Sequence, residues 1–482
     1  MKRPIELFSS FRQWTLRAVG AAGLVYASFA FGEAPVSKGT NATAKPAKPA
    51  APAVEQHCVE KHCAEKHCVE RHCAECGCSI ETGAACEKCM IKLTAMATKD
   101  GTVMVGAGDK KMMMATNDMM KSDASFVYTL DNDAQRNSVA VYRRNADGAL
   151  MPLVGSPFNA GGRGLMGGDI DEQGAIRSAG KFIIAVNPGS DTIAVLEKTN
   201  RGLLHVEGSP FSSGGSTPLS LAVHGDMVYV ANQAAEFASP KSSPNITGFK
   251  LMKNGMLMPI AGAVAELPMG MGPAQVEFTA NGRVLVATAG FQADGGEGSR
   301  IYTYQVKPDG KLMPGEGSPF KPEGATGTVG FSLSPKGDMA FVSTFKGSGV
   351  TAFSIDPSTA AIKQMGMPTG NDQRAACWTV ISKDGKTLYV GNFVSNSISV
   401  YSVMEDGMLT LLGSIPRRGA TNKDTKDIAL SANGGFLYAV GSGERQISIF
   451  KVEANHLLTE LPAPMSPITL PTGQNITGLL VE

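Results

Sequence analysis

The sequence predicts an all-β fold, a seven-bladed β-propeller closed by its C-terminal strand and preceded by a disordered N-terminal region. Three observations predict it. From Phe126 onward the chain repeats one unit, an apolar strand, a Gly- or Asn-bearing turn, a second strand, a polar hairpin turn and a third strand. Aligned on the second strand, the unit passes through Tyr128, Ile184, Tyr229, Val286, Phe341, Tyr389 and Tyr438, at intervals of 56, 45, 57, 55, 48 and 49 residues. Strand-built units with a period near fifty are propeller blades. The two ends of the repeated region are also complementary: it opens on a second strand, and residues 474–481 read as an inner strand with nothing after it. Each end supplies what the other lacks, so the ring closes without an unpaired inner edge.

The sixth unit shows how a blade is written. Residues 376–381 (Ala-Cys-Trp-Thr-Val-Ile) form the inner strand, Lys383-Asp384-Gly385-Lys386 a tight turn, and Thr387-Leu388-Tyr389-Val390 the second strand. Ser397-Ile398-Ser399-Val400-Tyr401 is the third strand, and Asp406-Gly407 leads into Leu409-Thr410-Leu411-Leu412. β-Branched and aromatic residues suit a pleated, half-buried surface, and Asp-Gly turns supply the positive φ that a tight hairpin needs. Comparable turns stand at Asp147-Gly148, Asn254-Gly255 and Asp309-Gly310. The block Gly-Ser-Pro-Phe occurs at 155–158, 208–211 and 317–320. Proline there is expected at the end of an outer, edge strand.

The propeller region, 126–482, spans 357 residues, or 51 per blade. With 56 glycines and 18% charged residues, the composition fits a turn-rich all-β chain. A net charge of +1 gives no basic excess, so no nucleic-acid partner is expected.

The first 125 residues are a different kind of sequence. Lys2, Arg3, Arg12 and Arg17 precede an apolar run from Ala18 to Phe31, and Ser28-Phe29-Ala30 offers small residues to a signal peptidase. Residues 1–30 are read as a signal peptide for export to the periplasm or the medium. The run is shorter than the roughly 20 residues a spanning helix needs, so membrane attachment follows only if it stays uncleaved. Residues 31–56, rich in Ala, Pro and Lys, form a linker.

Residues 57–89 hold eight of the nine cysteines and four of the seven histidines. His57-Cys58, His62-Cys63, His67-Cys68 and His72-Cys73 recur every five residues, followed by Cys76, Cys78, Cys86 and Cys89. Successive copies turn by about 140° on a helix, so they share no face. Thiolate and imidazole are ligands for Zn or Cu, and Cys73-x-x-Cys76, Cys76-x-Cys78 and Cys86-x-x-Cys89 have chelating spacing. The other reading is a disulfide-linked spacer in an oxidising compartment. Residues 90–125 are a Met-rich linker whose methionines at 112–114, 119 and 120 also suit a soft metal.

Candidate chemistry in the propeller is sought on inner strands and the loops that lead into them. His205 falls on an outer strand, His224 in a first-to-second-strand turn and His456 near a third-to-fourth-strand turn, none facing the channel. Alternation in Gln275-Val276-Glu277-Phe278 puts Glu277 on the channel side with Gln275. Arg374 enters the sixth inner strand, and Lys426 and Asp427 begin the seventh. Asp169, Asp171, Glu172 and Gln173 enter the second, beside Gly161-Gly162-Arg163-Gly164. A carboxylate opposed to a cation is the minimum for opening or closing a lactone, so Glu277, Arg374 and Asp427 are the catalytic candidates. Inter-blade ion pairing is the structural alternative for the same residues. Cys377, beside Trp378, is read as a small buried residue. The propeller shows no cofactor motif.

Ala376-Cys377-Trp378, the YVTN-like Tyr389-Val390-Gly391-Asn392, Ile398-Ser399-Val400-Tyr401, residues 218–230 and Asn245-Ile246-Thr247-Gly248-Phe249 resemble the lactonase-family propellers grouped with 6-phosphogluconolactonase and carboxymuconate cyclase. The resemblance covers 126–482. It implies a seven-bladed ring and lactone chemistry, as hydrolase or cycloisomerase. Catalytic members carry Pro-Arg-His or His-Pro-His strings before inner strands; here those places read Gly272-Pro273-Ala274-Gln275 and Ser216-Thr217-Pro218-Leu219. No catalytic residue is therefore transferred. Two functional classes stand: an exported lactonase-like enzyme, and a non-catalytic binding propeller that takes a protein or glycan and carries a metal-scavenging or disulfide-linked tail.

Overall fold

The computed structural model describes residues 102–105, 112–115, 125–165, 173–234, 243–291, 299–420, 425–470 and 476–482. The signal-peptide, Ala/Pro/Lys-linker and His/Cys-tract assignments lie outside them. Seven antiparallel sheets, each a blade of four strands, make up residues 125–482, and in all but the first the strands run in sequential order from the inside out. No α-helix occurs among the described residues. A separate two-stranded ladder pairs Thr102–Val105 with Met112–Ala115, within the segment read as a linker.

Closure follows the complementarity of the two ends. Thr477–Val481 pairs antiparallel with Ser125–Leu130 and becomes the inner strand of the first blade, whose third and fourth strands are Ser138–Arg144 and Leu150–Pro152. The Glu482 N–H continues the ladder onto the Phe126 carbonyl at 2.9 Å. The Glu482 carboxylate then joins blades one and two, accepting from Tyr128 Oη at 2.9 Å, Ser178 Oγ at 2.5 Å and Lys198 Nζ at 2.8 Å. Burial raises its pKa, but these donors outweigh burial and hold it below the usual glutamate value.

Adjacent blades bury apolar faces against one another. Tyr128, Tyr229, Trp378, Tyr389, Tyr401 and Tyr438 are among the largest fully buried side chains. Each such side chain contributes about 1.5–3 kcal/mol of burial. Three of the aligned tyrosines also reach the third-to-fourth-strand turn of the following blade. Tyr229 Oη donates to the Gly310 carbonyl, Tyr389 to His456 at 3.1 Å, and Tyr438 to Gly148 at 2.9 Å. His456, at φ 66°, holds the left-handed position that glycine holds elsewhere. His205 ends an outer strand, as the sequence predicts, whereas His224 is the last residue of an inner strand, just before the turn in which the sequence places it.

The Gly-Ser-Pro-Phe block interrupts the outer strand and does not end it, which corrects the sequence expectation. In blade one the strand stops at Pro152 and resumes at Phe158–Asn159, both pieces pairing with Ser138–Arg144. Across the break the serine hydroxyl accepts the N–H that a backbone carbonyl would otherwise take. Val141 N–H meets Ser156 Oγ at 2.8 Å, Val195 meets Ser209 at 2.9 Å and Thr303 meets Ser318 at 3.0 Å. A fourth case, Ile449 on Ser466 at 2.9 Å, lacks the flanking Gly and Phe and so escapes a tetrapeptide search. The Ser-Pro bonds in all four are cis.

Candidate functional site

Strand register makes the channel wall a ring of equivalent positions. Opposite the seven aligned second-strand residues stand Leu480, Arg177, Ala222, Glu277, Ser332, Val380 and Ala429. All but Ala222 line a cavity of ≈ 400 Å³ on the axis. The layer is lopsided. Blades two, four and five contribute Arg, Glu and Ser, whereas blades six, seven and one contribute Val, Ala and Leu.

Arg177 and Glu277 meet across blade three, where Ala222 is small enough to let them pass. Arg177 Nη2 donates to Glu277 Oε2 at 2.5 Å, and Nε to the Leu221 carbonyl at 3.0 Å. Their side chains are 22% and 29% exposed, so the pair is reachable from the cavity. Gly174 makes room for the guanidinium. A Cβ there would lie 2.6 Å from Arg177 Nη2, and its φ of +86° also excludes ordinary side chains.

Asp427, which also lines the cavity, is buried. Leu479 N–H donates to its Oδ2 at 2.9 Å, and Ile428 and Gly174 supply further backbone bonds. Burial pushes its pKa up to about 7; Arg177 and the backbone donors oppose the rise without cancelling it. Lys426 points elsewhere, its ammonium 4.6 Å from the centre of the Phe393 ring.

The Asp427 shift has a stability consequence. Between the unfolded value near 4 and the folded value near 7 the unfolded chain is ionised while the native one keeps its proton, so stability falls by about 1.4 kcal/mol per pH unit. The loss is complete above the folded pKa. Glu482 has the opposite sign: its folded pKa is lowered, and its contribution disappears only in acid, below the unfolded value. Wild-type Tm is therefore expected to drop from pH 5 to pH 8, and Asp427→Asn to flatten that slope. Equal slopes in thermal scans of the two proteins would contradict this.

Gln173, before the second inner strand, spans the axis to blade six: Nε2 donates to the Thr379 carbonyl at 2.5 Å, and Thr379 N–H to Oε1 at 3.2 Å. Gln275 ties blades four and five through Phe331 N–H at 2.7 Å and its carbonyl at 3.0 Å. Ala280, Pro335, Ile381 and Leu430, where the inner strands end, form the wide rim.

Of the three candidates, Glu277 and Asp427 share this cavity. Arg374 does not line it. Arg374 is exposed where the sixth inner strand begins, its N–H on Ser395 Oγ at 2.8 Å. Arg177 holds the place opposite Glu277. Sequence reasoning missed it, although the repeat alignment puts both in one column. Asp169, Asp171 and Glu172 lie outside the described residues. Cys377 is buried in one apolar cluster with Trp378 and Tyr389.

Fold and cavity define the class, an all-β seven-bladed propeller with a charged pair on its axis. Residues 273–466 match the family model "Lactonase, 7-bladed beta-propeller". Over those residues the chain resembles the propellers of the lactonase family. A 6-phosphogluconolactonase of Pectobacterium carotovorum is 24% identical over 162 residues, covering 32% of this chain and 48% of the relative; the match spans about half that relative's length. Among solved structures, a putative 6-phosphogluconolactonase of Bacteroides fragilis superposes with TM-score 0.60 at 19% identity, covering 76% of this chain and 100% of the other. A periplasmic gluconolactonase of Pseudomonas aeruginosa gives 0.57 at 17%, covering 74% and 98%. At such identities the structural likeness concerns the fold.

Proposed function

We propose that this protein hydrolyses a lactone in the axial cavity. The observation that carries the reading is the Arg177–Glu277 pair, held between blades in a lactonase-type ring and open to the cavity. Glu277 takes a proton from water as its oxygen bonds to the lactone carbonyl carbon. Arg177 N–H groups steady the oxyanion that forms. The ring C–O bond then breaks, and the alkoxide takes the proton back from Glu277, leaving a hydroxy acid. The test is hydrolysis, above the spontaneous rate, by wild type and Glu277→Gln. Equal rates would remove Glu277 and leave the pair as an inter-blade clamp in a binding propeller.

The N-terminal segments extend the proposal. The charged and apolar start supports export to the periplasm or medium, a location that the name of the Pseudomonas protein also carries. The tract from His57 to Cys89 would bind Zn or Cu there through its thiolates and imidazoles. Purified full-length protein is expected to carry metal and to gain reactive thiols on chelation. Eight paired cysteines and no metal would instead establish the disulfide-linked spacer.

A further inference from the structure

We infer that the site takes a neutral lactone bearing an apolar substituent, in preference to a phosphorylated sugar lactone; this rests on the lactonase reading above. Charge argues first. Arg177 is the one cation among the described residues lining the cavity, and Glu277 already neutralises it at 2.5 Å. Asp427 stands beside the same guanidinium. A phosphate dianion needs cations or free N–H donors and would here meet two carboxyl groups instead.

Hydrogen bonding argues next. A sugar lactone brings several hydroxyls that must find partners once water is excluded. The polar groups of the wall are committed to the ring itself. Ser332 Oγ is bonded to Thr379 Oγ1 at 2.8 Å and Ser334 Oγ to Asp338 Oδ1 at 2.7 Å. Both ends of the Gln275 and Gln173 amides hold neighbouring backbone. The wall of blades six, seven and one, with Val380, Ile381, Leu430 and Leu480, offers apolar surface. At ≈ 400 Å³ the cavity holds a lactone ring against Arg177 with a short alkyl chain along that wall.

The experiment compares full-length protein on δ-decalactone, glucono-δ-lactone and 6-phosphoglucono-δ-lactone. The kcat/KM for δ-decalactone is expected at least tenfold above that for the phosphorylated lactone. Leu480→Asn is expected to shrink that ratio by about tenfold, since a lost apolar contact costs discrimination of this order. Preference for the phosphorylated lactone would overturn the inference and leave the lactonase reading intact. Hydrolysis of none of the three would sink the lactonase reading, and binding then decides the substrate class. The alkyl lactam of matching size should raise Tm where 6-phosphogluconate does not. The reverse result, or no shift with the lactam, overturns the inference.

Discussion

A chain that stops at residue 473 is expected to be unfolded or aggregated at room temperature. Removing Thr477–Val481 takes the inner strand from blade one and leaves Ser125–Leu130 with a bare edge on the axis. Ile476 and Leu479, 1% and 3% exposed, lose their burial, each worth about 1.5–3 kcal/mol. The backbone ladder goes with them, as do the three bonds that Glu482 makes to blades one and two. These losses together rival the 5–15 kcal/mol that typically separates a folded domain from its unfolded chain. The freed strand edge also invites intermolecular pairing. Circular dichroism and gel filtration of the truncated and full-length proteins decide the matter. A truncated chain that elutes as a monomer with unchanged Tm would show that blade one stands without its inner strand.

Arg177 and Glu277 should differ when substituted singly. Glu277→Gln keeps the shape and a hydrogen-bond acceptor for Arg177, so the fold should hold while lactone hydrolysis falls by roughly 10²–10⁴-fold, the usual worth of a positioned general base. Arg177→Met removes the oxyanion donor, with an expected loss of about 10²–10³-fold. It also strips two carboxyl groups of their common counter-charge, so Tm should fall too, more at pH 8 than at pH 5. A variant pair that loses Tm but no activity would assign both residues to ring integrity alone.

The propeller is legible in the sequence because its signals are local. Alternation within strands and Asp-Gly turns between them depend on neighbours a few residues apart, and recurrence adds certainty. Glu277 is legible for the same reason, since alternation fixes its face relative to Phe278. Arg177 is not. Its partner lies a hundred residues away, and only the curvature of the ring brings blades two and four together across Ala222. Gln173 is placed by the sequence at the start of the second inner strand, but its bond to Thr379 escapes because it crosses the axis. Arg374 shows the converse: a cation before an inner strand suggests the channel, but the loop anchors its backbone on Ser395 and leaves its side chain to solvent. The Gly-Ser-Pro-Phe block is visible as a repeat, whereas its purpose needs the third strand that its serine hydroxyl serves.

Joining the first blade from both ends also sets an order of events during synthesis. Tyr128 and Glu482 are separated by 354 positions, so the contact that seals the circle spans the whole propeller. Such closures are entropically late and slow. The growing chain must carry an incomplete sheet, with its innermost seat vacant, until residues 477–481 have left the ribosome. Cleavage just before residues 477–481 should therefore be far more damaging than nicks in the solvent-facing outer turns.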